Sequence, residues 1–329
     1  MSTHTITKVH GFKVERTGGP DQLKWQEMQL PELKPHEALV RLHAVGVNFL
    51  DVGQRNGIYP TAFPFVPGVE AAGVVEQIGG NVKSVRVGDR VAYTGGPSSY
   101  AEANTVPAER LIPLPDNFDF IQGAAFPLQG MTAHYLINEF YKVQKGETIL
   151  IHAAAGGMGL LLVQWAKHLG ARVIGTVSTE EKAQIARDAG ANEIILYTKQ
   201  DFVAECKKLT DGKGVDYIID GVGKDTFTKN LDAVRLRGHV CIFGAASGLA
   251  EPLIPNMLMM KSITIHGGSL FNFLLTRDEL MMRAKDVIDA IQAGWLKLRV
   301  EHVLPLADAA KAHELMENRK TVGKIVLKV

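Results

Sequence analysis

Hydrophobic residues in the second half of the chain alternate between short unbroken apolar runs and amphipathic stretches. The apolar runs predict strands at 148–153, 172–177, 193–197, 215–220, 239–243 and 262–266. The amphipathic stretches predict helices at about 180–189, 202–209 and 226–234, with a further helix after the first strand. Fully apolar strands that alternate with helices are typical of a parallel sheet covered on both faces. This half therefore predicts an α/β fold with a doubly wound, six-stranded parallel sheet of the Rossmann type.

The first part of the chain has a different pattern. Strand-like segments at 38–44 and 73–78 are short, and proline or glycine interrupts the sequence every few residues. This pattern favours a small β-barrel-like domain over a second α/β unit. The elements predicted near the C-terminus are helices at 277–294 and 307–318 and a strand at 323–329. The predicted domains are 1–127, 128–267 and a C-terminal segment, 268–329, that returns to the first domain.

A glycine-rich turn lies between the first strand of the sheet and the following helix. Its spacing is Ala154-x-Gly156-x-x-Gly159, so alanine replaces the first glycine of the G-x-G-x-x-G dinucleotide fingerprint. Glycine at 156 lets the backbone approach a pyrophosphate, and glycine at 159 lets the helix pack closely on the strand. The helix N-terminus then presents free N–H groups to the phosphates. Such turns also connect strands to helices without any ligand, but the strand–turn–helix order favours a nucleotide site.

The end of the second strand indicates which dinucleotide is preferred. NAD-dependent enzymes usually place a carboxylate there to hold the ribose 2′-OH. Here the strand ends at Val177 and Ser178 with no acidic side chain, and Lys182 follows one helical turn later. Because a hydroxyl and a cation suit a 2′-phosphate, the sequence favours NADPH over NADH. The alternative is that Ser178 and Glu181 form a helix capping box and that Lys182 is a solvated surface charge.

Composition and charge weigh against several classes of partner. The chain has 329 residues, 46% hydrophobic and 22% charged, with a formal net charge of +1. That balance provides no long-range field for nucleic acid or an anionic membrane, so neither is an expected partner. The N-terminus lacks the apolar core of a signal peptide, and Cys206 and Cys241 are too few for a disulfide framework. A cytoplasmic location is the resulting expectation.

The common devices that polarise a substrate leave recognisable sequence patterns. No His-Glu-x-x-His occurs and neither cysteine lies in the first domain, so no catalytic metal site is predicted. Tyr141 and Lys145 have the Tyr-x-x-x-Lys spacing of another reductase class. That class needs the pair far downstream of the glycine turn, whereas here it precedes the turn. We therefore interpret it as a chance match.

Segments along nearly the whole chain resemble the zinc-free quinone oxidoreductases of the medium-chain dehydrogenase/reductase superfamily, the group that includes zeta-crystallin. The matching segments are 46–51, 68–73, 87–91, 153–159, 175–177, 217–223, 238–244 and 323–327. The resemblance implies a GroES-like catalytic domain followed by the Rossmann domain. Zinc-dependent relatives place a histidine ligand where this chain has Val69, and their catalytic cysteine falls near Asn48 and Phe49. The resemblance therefore implies hydride transfer without a metal.

The resemblance also implies a set of site residues. The residues that match the family's pyrophosphate turn are Gly156, Gly157, Met158 and Gly159, and those that match the surroundings of the 2′-phosphate are Ser178, Lys182 and Tyr197. The positions near the nicotinamide ribose correspond to Thr132, Gly221, Phe243 and Ser269. A basic residue near the cofactor corresponds to Lys324. Asn48 and Tyr59 match polar residues beside the nicotinamide, where the substrate carbonyl would lie. One departure is Gly53, where some bacterial relatives carry a tyrosine, which would open the pocket or remove a hydrogen bond.

Several of these polar residues also have plain structural interpretations. Asn48 could satisfy backbone groups in its own turn, and Tyr59 could simply pack within its loop. Asp51 is expected to order its own loop rather than to transfer a proton.

These observations predict NADPH-dependent, metal-independent reduction of quinones or related conjugated carbonyls, with Asn48 and Tyr59 as hydrogen-bond donors to the acceptor. Two enzymes with the same fold remain as alternatives, an alkenal or enone double-bond reductase and an enoyl-thioester reductase. A third alternative is a protein that binds NADPH in a structural or sensing role, as in crystallin relatives, some of which bind RNA. The apolar strand at 262–266 should lie at a sheet edge, which predicts a homodimer through that edge.

Overall fold

The computed structural model describes residues 8–96 and 98–329, which form two compact units. The first unit contains the described residues up to Leu128 together with Thr276–Ala284 and Val300–Val329. The second contains Gln129–Leu275 and Lys285–Arg299. The extreme N-terminus, for which we predict no signal peptide, lies outside the described residues.

Both units combine short strands with α-helices. The strands, in chain order, are β1 (Lys8–Lys13), β2 (Lys24–Gln29), β3 (Glu37–Val47), β4 (Glu70–Ile78), β5 (Arg90–Thr94), β6 (Ala103–Pro107), β7 (Ile112–Pro113), β8 (Thr148–Ile151), β9 (Arg172–Val177), β10 (Glu193–Leu196), β11 (Val215–Asp220), β12 (Val234–Ile242), β13 (Thr264–Gly267), β14 (Val300–Pro305) and β15 (Lys324–Lys328). The α-helices are α1 (Phe49–Asn56), α2 (Phe120–Ala125), α3 (Pro127–Tyr135), α4 (Gly157–His168), α5 (Glu180–Ala189), α6 (Phe202–Leu209), α7 (Phe227–Ala233), α8 (Arg277–Gln292) and α9 (Ala309–Glu317).

The second unit contains the predicted doubly wound sheet. Its six strands are all parallel and lie in the order β10-β9-β8-β11-β12-β13, with the chain reversing its direction of winding between β8 and β11. The carboxyl ends of parallel strands meet at one edge, and ligands of such folds bind beyond that edge at the switch point. The glycine-rich turn follows β8, one of the two strands at this point.

Two strands of this sheet begin at residues other than those predicted. β12 begins at Val234 rather than at His239, because Val234 already pairs with Val215 before the register shifts. Arg237 lies in the shifted stretch and has a left-handed φ of 55°. β13 begins at Thr264 rather than at Ser262, because Ser262 has a φ of 52° and donates its N–H to a turn.

The first unit is built on a seven-stranded sheet with the path β14-β15-β3-β4-β5-β7, in which β6 also pairs with β3. The strands β1 and β2 form a separate antiparallel pair. The C-terminal strand β15 pairs with β3, placing Ile325 opposite Val47 and Leu327 opposite Val45. These apolar side chains are buried in a core that also contains Tyr100. The pairing brings residues near the end of the chain beside the start of α1.

None of the helices in residues 8–96 and 98–329 combines the length and the apolar character needed to cross a membrane.

Candidate functional site

The glycine-rich turn leads directly from β8 into α4. Gly156 caps the helix, which begins at Gly157, and Ala153 has a left-handed φ of 51°. A Cβ atom at Gly159 would lie 2.7 Å from the Cα of Ala154 and would overlap a neighbouring carbonyl oxygen. Because backbone atoms cannot yield as the end of a side chain can, the turn requires glycine at 159.

The outer side of the same turn is open. A Cβ at Gly156 would meet only one backbone carbonyl oxygen, at 3.2 Å, whereas one at Gly157 would meet the Gln129 side chain at 2.5 Å. The first N–H groups of α4, at Gly157, Met158 and Gly159, have no acceptor within the helix and lie at its positive end. An open glycine beside these donors fits a dinucleotide pyrophosphate.

The end of β9 carries no acidic side chain, as the sequence indicated, but its local structure corrects one interpretation. The cap of α5 is Thr179, whose hydroxyl accepts the Lys182 N–H at 3.2 Å. The alternative interpretation, a capping box of Ser178 and Glu181, is therefore wrong by one residue, because Ser178 lies between β9 and the cap, and its carbonyl oxygen accepts a hydrogen bond from the Thr198 hydroxyl at 2.9 Å. The Ser178 side chain is thus not used as a helix cap. Tyr197 lies in the neighbouring connection after β10, 42% exposed.

The loop after β11 is held by a buried carboxylate. Asp220 accepts the backbone N–H groups of Val222 and Gly223 through one oxygen, at 2.7 and 3.2 Å. Its other oxygen accepts the hydroxyl of Thr226 and the amide of Asn230, both at 2.7 Å. The four hydrogen bonds that Asp220 accepts lie at the carboxyl end of the sheet and hold the backbone of the loop after β11 in place.

Two of the predicted nicotinamide-side residues meet in this loop region. A Cβ at Gly221 would lie 2.7 Å from the ring of Phe243, so the ring packs directly on the glycine. Thr132 is buried on α3, and Ser269 is exposed at the start of a short 3₁₀ turn, where its side chain caps nothing. The structure thus brings Gly221 and Phe243 into contact and places Thr132 and Ser269 on separate segments of the same unit.

In the first unit, Asn48 stands at the start of α1 and is almost completely buried. Its backbone N–H is accepted by Asp51 at 2.8 Å. Its side-chain oxygen accepts the Lys324 ammonium at 2.7 Å, and its side-chain nitrogen donates to Glu70 at 2.7 Å. The remaining amide hydrogen has only a long contact with the Gly46 carbonyl, at 3.5 Å. One hydrogen of the amide is therefore only weakly engaged.

Lys324 and Glu70 form a buried ion pair beside Asn48. The Lys324 ammonium contacts a Glu70 carboxylate oxygen, and both side chains are at most 3% exposed. The second Glu70 oxygen accepts the Leu128 N–H at 2.8 Å. Because each charge is hydrogen-bonded as well as paired, the pair can persist without water.

Tyr59 packs against the glycine that departs from the family pattern. A Cβ at Gly53 would lie 2.5 Å from an atom of the Tyr59 ring. We expected Gly53 to open the pocket or to remove a hydrogen bond, but the space beside it is taken by this ring. Tyr59 is half-buried, and this burial raises the pKa of its hydroxyl. The phenol therefore stays protonated and able to donate a hydrogen bond at neutral pH.

Metal ligands do not gather in the part of the chain that the structure describes. No group of three or more His, Cys, Asp or Glu side chains there is placed to hold an ion. Val69, at the position of a histidine ligand in zinc-dependent relatives, is a buried apolar residue.

Comparison with known proteins is consistent with this arrangement. The family model described as alcohol dehydrogenase GroES-like domain matches residues 34–116, and the one described as zinc-binding dehydrogenase matches residues 157–286. A 2-haloacrylate reductase from Burkholderia sp is 43% identical, over 95% of this chain and 97% of its own. A quinone oxidoreductase from Pseudomonas aeruginosa is 42% identical, over 94% and 96%.

A solved structure shares the fold at similar coverage. The Escherichia coli quinone oxidoreductase complexed with NADPH superposes with a TM-score of 0.93 at 37% identity, covering 97% of this chain and 100% of that one. Identity of this size over almost the full length of both chains reflects common descent rather than a shared architecture alone. The chain belongs to the quinone oxidoreductase family of the medium-chain dehydrogenase/reductase superfamily and is an oxidoreductase.

Proposed function

We propose that this protein reduces quinones or related conjugated carbonyls with NADPH as the hydride source. The observation that carries the proposal is the glycine turn of the second unit, which is open at Gly156 and closely packed at Gly159. The absence of a carboxylate at the end of β9 supports NADPH over NADH, because an acidic side chain there would hold a free ribose 2′-OH and repel a 2′-phosphate. The NADPH complex of the Escherichia coli relative supports the same choice.

The residues that would hold the cofactor are those that the family resemblance assigns, and the geometry of the glycine turn supports part of this set. The N–H groups at Gly157, Met158 and Gly159 would bind the pyrophosphate, and Ser178, Lys182 and Tyr197 would surround the 2′-phosphate. In the second unit, the residues that would face the nicotinamide half are Thr132, Gly221, Phe243 and Ser269. In the first unit, the resemblance assigns Asn48 and Lys324 to cofactor binding. When bound, NADPH supplies a hydride to an electrophilic acceptor.

The protein's own contribution to the chemistry would come from hydrogen bonds to the acceptor oxygen. Reduction of a conjugated carbonyl places negative charge on that oxygen, and fixed donors stabilise such charge. Asn48 would donate its weakly engaged amide hydrogen, and Tyr59 would donate its hydroxyl. Lys324 polarises the Asn48 amide by donating to its oxygen, which strengthens the amide as a donor.

A second candidate function is reduction of a conjugated carbon–carbon double bond. It is supported by the 43% identity to a 2-haloacrylate reductase, whose named substrate carries a double bond conjugated to a carboxyl group. NADPH would again supply the hydride, and Asn48 and Tyr59 would again donate hydrogen bonds, since the negative charge again spreads to a carbonyl or carboxyl oxygen.

The two candidates are separated by NADPH oxidation with benzoquinone, a naphthoquinone, an alkenal, a cyclic enone, 2-chloroacrylate and crotonyl-CoA. We expect turnover of a quinone, faster with NADPH than with NADH and unchanged by EDTA. We expect Asn48→Ala and Tyr59→Phe each to lower kcat/KM by about ten-fold or more, as the loss of an oxyanion donor does. Turnover of the alkenal, the enone or 2-chloroacrylate alone would support the second candidate, and full activity of both variants would exclude the assigned donors.

The edge strand of the second unit supports a homodimer. Within the described residues β13 pairs only with β12, and the segment before it exposes large apolar side chains, at Leu249, Ile254, Met257, Met259 and Met260. We expect light scattering at micromolar concentration to give the mass of two chains. Met260→Glu should shift the mass towards one chain, whereas Leu275→Glu, another exposed apolar position, should not. A single-chain mass for the unaltered protein would contradict the homodimer.

A further inference from the structure

A chain of buried hydrogen bonds leads from α9 to Asn48. The guanidinium of Arg55 donates through Nε to Nδ1 of His313 at 3.2 Å. Nε2 of His313 lies 3.0 Å from the Tyr100 hydroxyl, which donates to an oxygen of Asp51 at 3.3 Å. The same Asp51 oxygen accepts the backbone N–H of Asn48. All of these side chains are buried in the first unit.

The direction of these bonds is fixed by Arg55. A guanidinium is always protonated, so Nδ1 of His313 must accept, and the proton of the neutral ring lies on Nε2. That N–H points to the oxygen of Tyr100, which leaves the Tyr100 hydrogen for Asp51. Burial and the nearby Arg55 lower the pKa of His313 to about 3, so the ring stays neutral. Because Arg55 cannot release a proton, the chain orients Asp51 and does not conduct protons to it.

Among the described residues, Asp51 is the one carboxylate of this group that has no ion-pair partner. Arg55 contacts Glu317 at 2.5 Å, and Lys324 is paired with Glu70. The second oxygen of Asp51, Oδ1, has no hydrogen-bond partner among the described residues, although the side chain is fully buried. An unpaired charge in that environment is costly, so its loss by protonation is favoured.

Asp51 therefore changes charge near neutral pH. Burial raises the pKa of Asp51 to about 7, against the opposing effects of the Asn48 N–H, the Lys324 ammonium and the Tyr100 hydroxyl, while Glu70 raises it further. Arg55 and His313 act on Asp51 through Tyr100. A proton placed on the free oxygen Oδ1 leaves Oδ2 able to accept both of its hydrogen bonds. Protonation thus removes the charge and retains the geometry.

We propose that Asp51 is a positioning residue that acts through Asn48, and that the charge of its carboxyl sets the rate at which the acceptor is reduced. The carboxyl holds the Asn48 backbone at the start of α1 in both protonation states. In the ionised state its negative charge opposes the negative charge that reduction places on the acceptor oxygen beside Asn48. The neutral carboxyl removes this opposition, so reduction is faster. This inference rests on the donor role proposed for Asn48.

The test is the pH dependence of kcat/KM with the acceptor that the wild-type protein turns over best. We expect kcat/KM to fall about ten-fold as the pH rises through about 7, and Asp51→Asn to lose this fall. Tyr100→Phe removes a donor that favours the ionised carboxyl, so the fall should move to higher pH. Tyr93→Phe is the matched control, because Tyr93 is equally buried but bonds to Ser99 and Asn104, and its profile should follow wild type.

A second readout needs neither cofactor nor acceptor. Because the folded-state pKa of Asp51 lies above its ordinary value of 3.8, the folded protein holds this proton more tightly than the unfolded chain does. The free energy of unfolding of wild type should therefore decrease, relative to Asp51→Asn, as the pH rises from about 4 to about 7. If Asp51→Asn does not fold, Tyr100→Phe replaces it: its Asp51 pKa is higher, so its free energy of unfolding should decrease more with rising pH, and up to a higher pH, than that of Tyr93→Phe.

The outcomes separate this inference from the proposed function. No turnover of any acceptor by wild type would contradict the proposed function, and the unfolding measurement would still decide whether Asp51 titrates. Turnover with the same pH profile in wild type, Asp51→Asn and Tyr100→Phe would overturn the role of Asp51 and leave the function standing. Parallel stability curves for wild type and Asp51→Asn would overturn it as well.

Discussion

Replacing Glu70 with alanine is expected to lower the free energy of unfolding by about 3–5 kcal/mol, the usual cost of leaving one member of a buried ion pair without its partner. Of its contacts with described residues, the Lys324 ammonium would keep only the bond to Asn48, at 2.7 Å, in a position that is 3% exposed. The Leu128 N–H and the Asn48 amide would each lose an acceptor too. Urea unfolding followed by circular dichroism measures the loss.

The matched control is on the same strand. Glu76 also lies on β4 and pairs with Arg41 on β3 at 2.6 Å, but these side chains are 31% and 41% exposed. Glu76→Ala should therefore cost only about 0–1 kcal/mol, as solvent-exposed pairs do. The double variant Glu70→Ala/Lys324→Met should recover part of the lost free energy of unfolding, since it also removes the unpaired positive charge of Lys324. Equal losses for Glu70→Ala and Glu76→Ala would show that the Lys324–Glu70 pair is not buried as described.

Sequence patterns were sufficient for most of the second unit because its strands and helices are defined by local periodicity. β9 begins and ends where its apolar run predicted, at Arg172–Val177, and α5 where its amphipathic stretch predicted, at Glu180–Ala189. A strand buried on both faces has no polar positions that blur its ends. The glycine turn was predictable for the same reason, since all of its residues are adjacent in the chain.

The errors occur where the backbone departs from regular geometry. The residues Arg237 and Ser262 have left-handed φ angles and shift the starts of β12 and β13. Neither is a glycine or an asparagine, the residue types from which a left-handed conformation can be predicted. The alternative interpretation placed the cap of α5 at Ser178 rather than at Thr179, because two adjacent hydroxyl residues offer the same capping pattern. Only the position at which β9 ends decides between them.

The buried polar network of the first unit could not be derived from sequence. Lys324 meets Asn48 from 276 positions away, and Arg55 meets His313 from 258. The resemblance indicated a basic residue at 324, but nothing in the chain pointed to Glu70 as its partner. Asp51 was interpreted as a residue that orders its loop, and its bond to Asn48 agrees with that. That Asp51 has no ion-pair partner among the described residues depends on the pairing of Arg55 with Glu317 and of Lys324 with Glu70, which the sequence does not show.

Gly159→Ala is expected to weaken NADPH binding by at least about ten-fold, which corresponds to about 1.4 kcal/mol. The added Cβ would lie 2.7 Å from the Cα of Ala154, so the turn and the start of α4 must move apart. That displacement separates the N–H groups of the helix from the positions that a pyrophosphate needs. Titration of intrinsic fluorescence with NADPH gives the dissociation constant, and urea unfolding reports the accompanying loss of stability, about 1–3 kcal/mol.

Two further alanine variants test whether the effect of Gly159→Ala on NADPH affinity is specific to the glycine turn. Gly80→Ala adds a Cβ that has nothing within 4 Å, so neither NADPH affinity nor stability should change. Gly156→Ala adds one whose nearest neighbour is a carbonyl oxygen at 3.2 Å, so the fold should tolerate it. If Gly156 is where the backbone approaches the phosphates, this variant should lose NADPH affinity while keeping its stability, because its methyl group obstructs the ligand rather than the protein. Unchanged affinity in both Gly156→Ala and Gly159→Ala would exclude the turn as the pyrophosphate site.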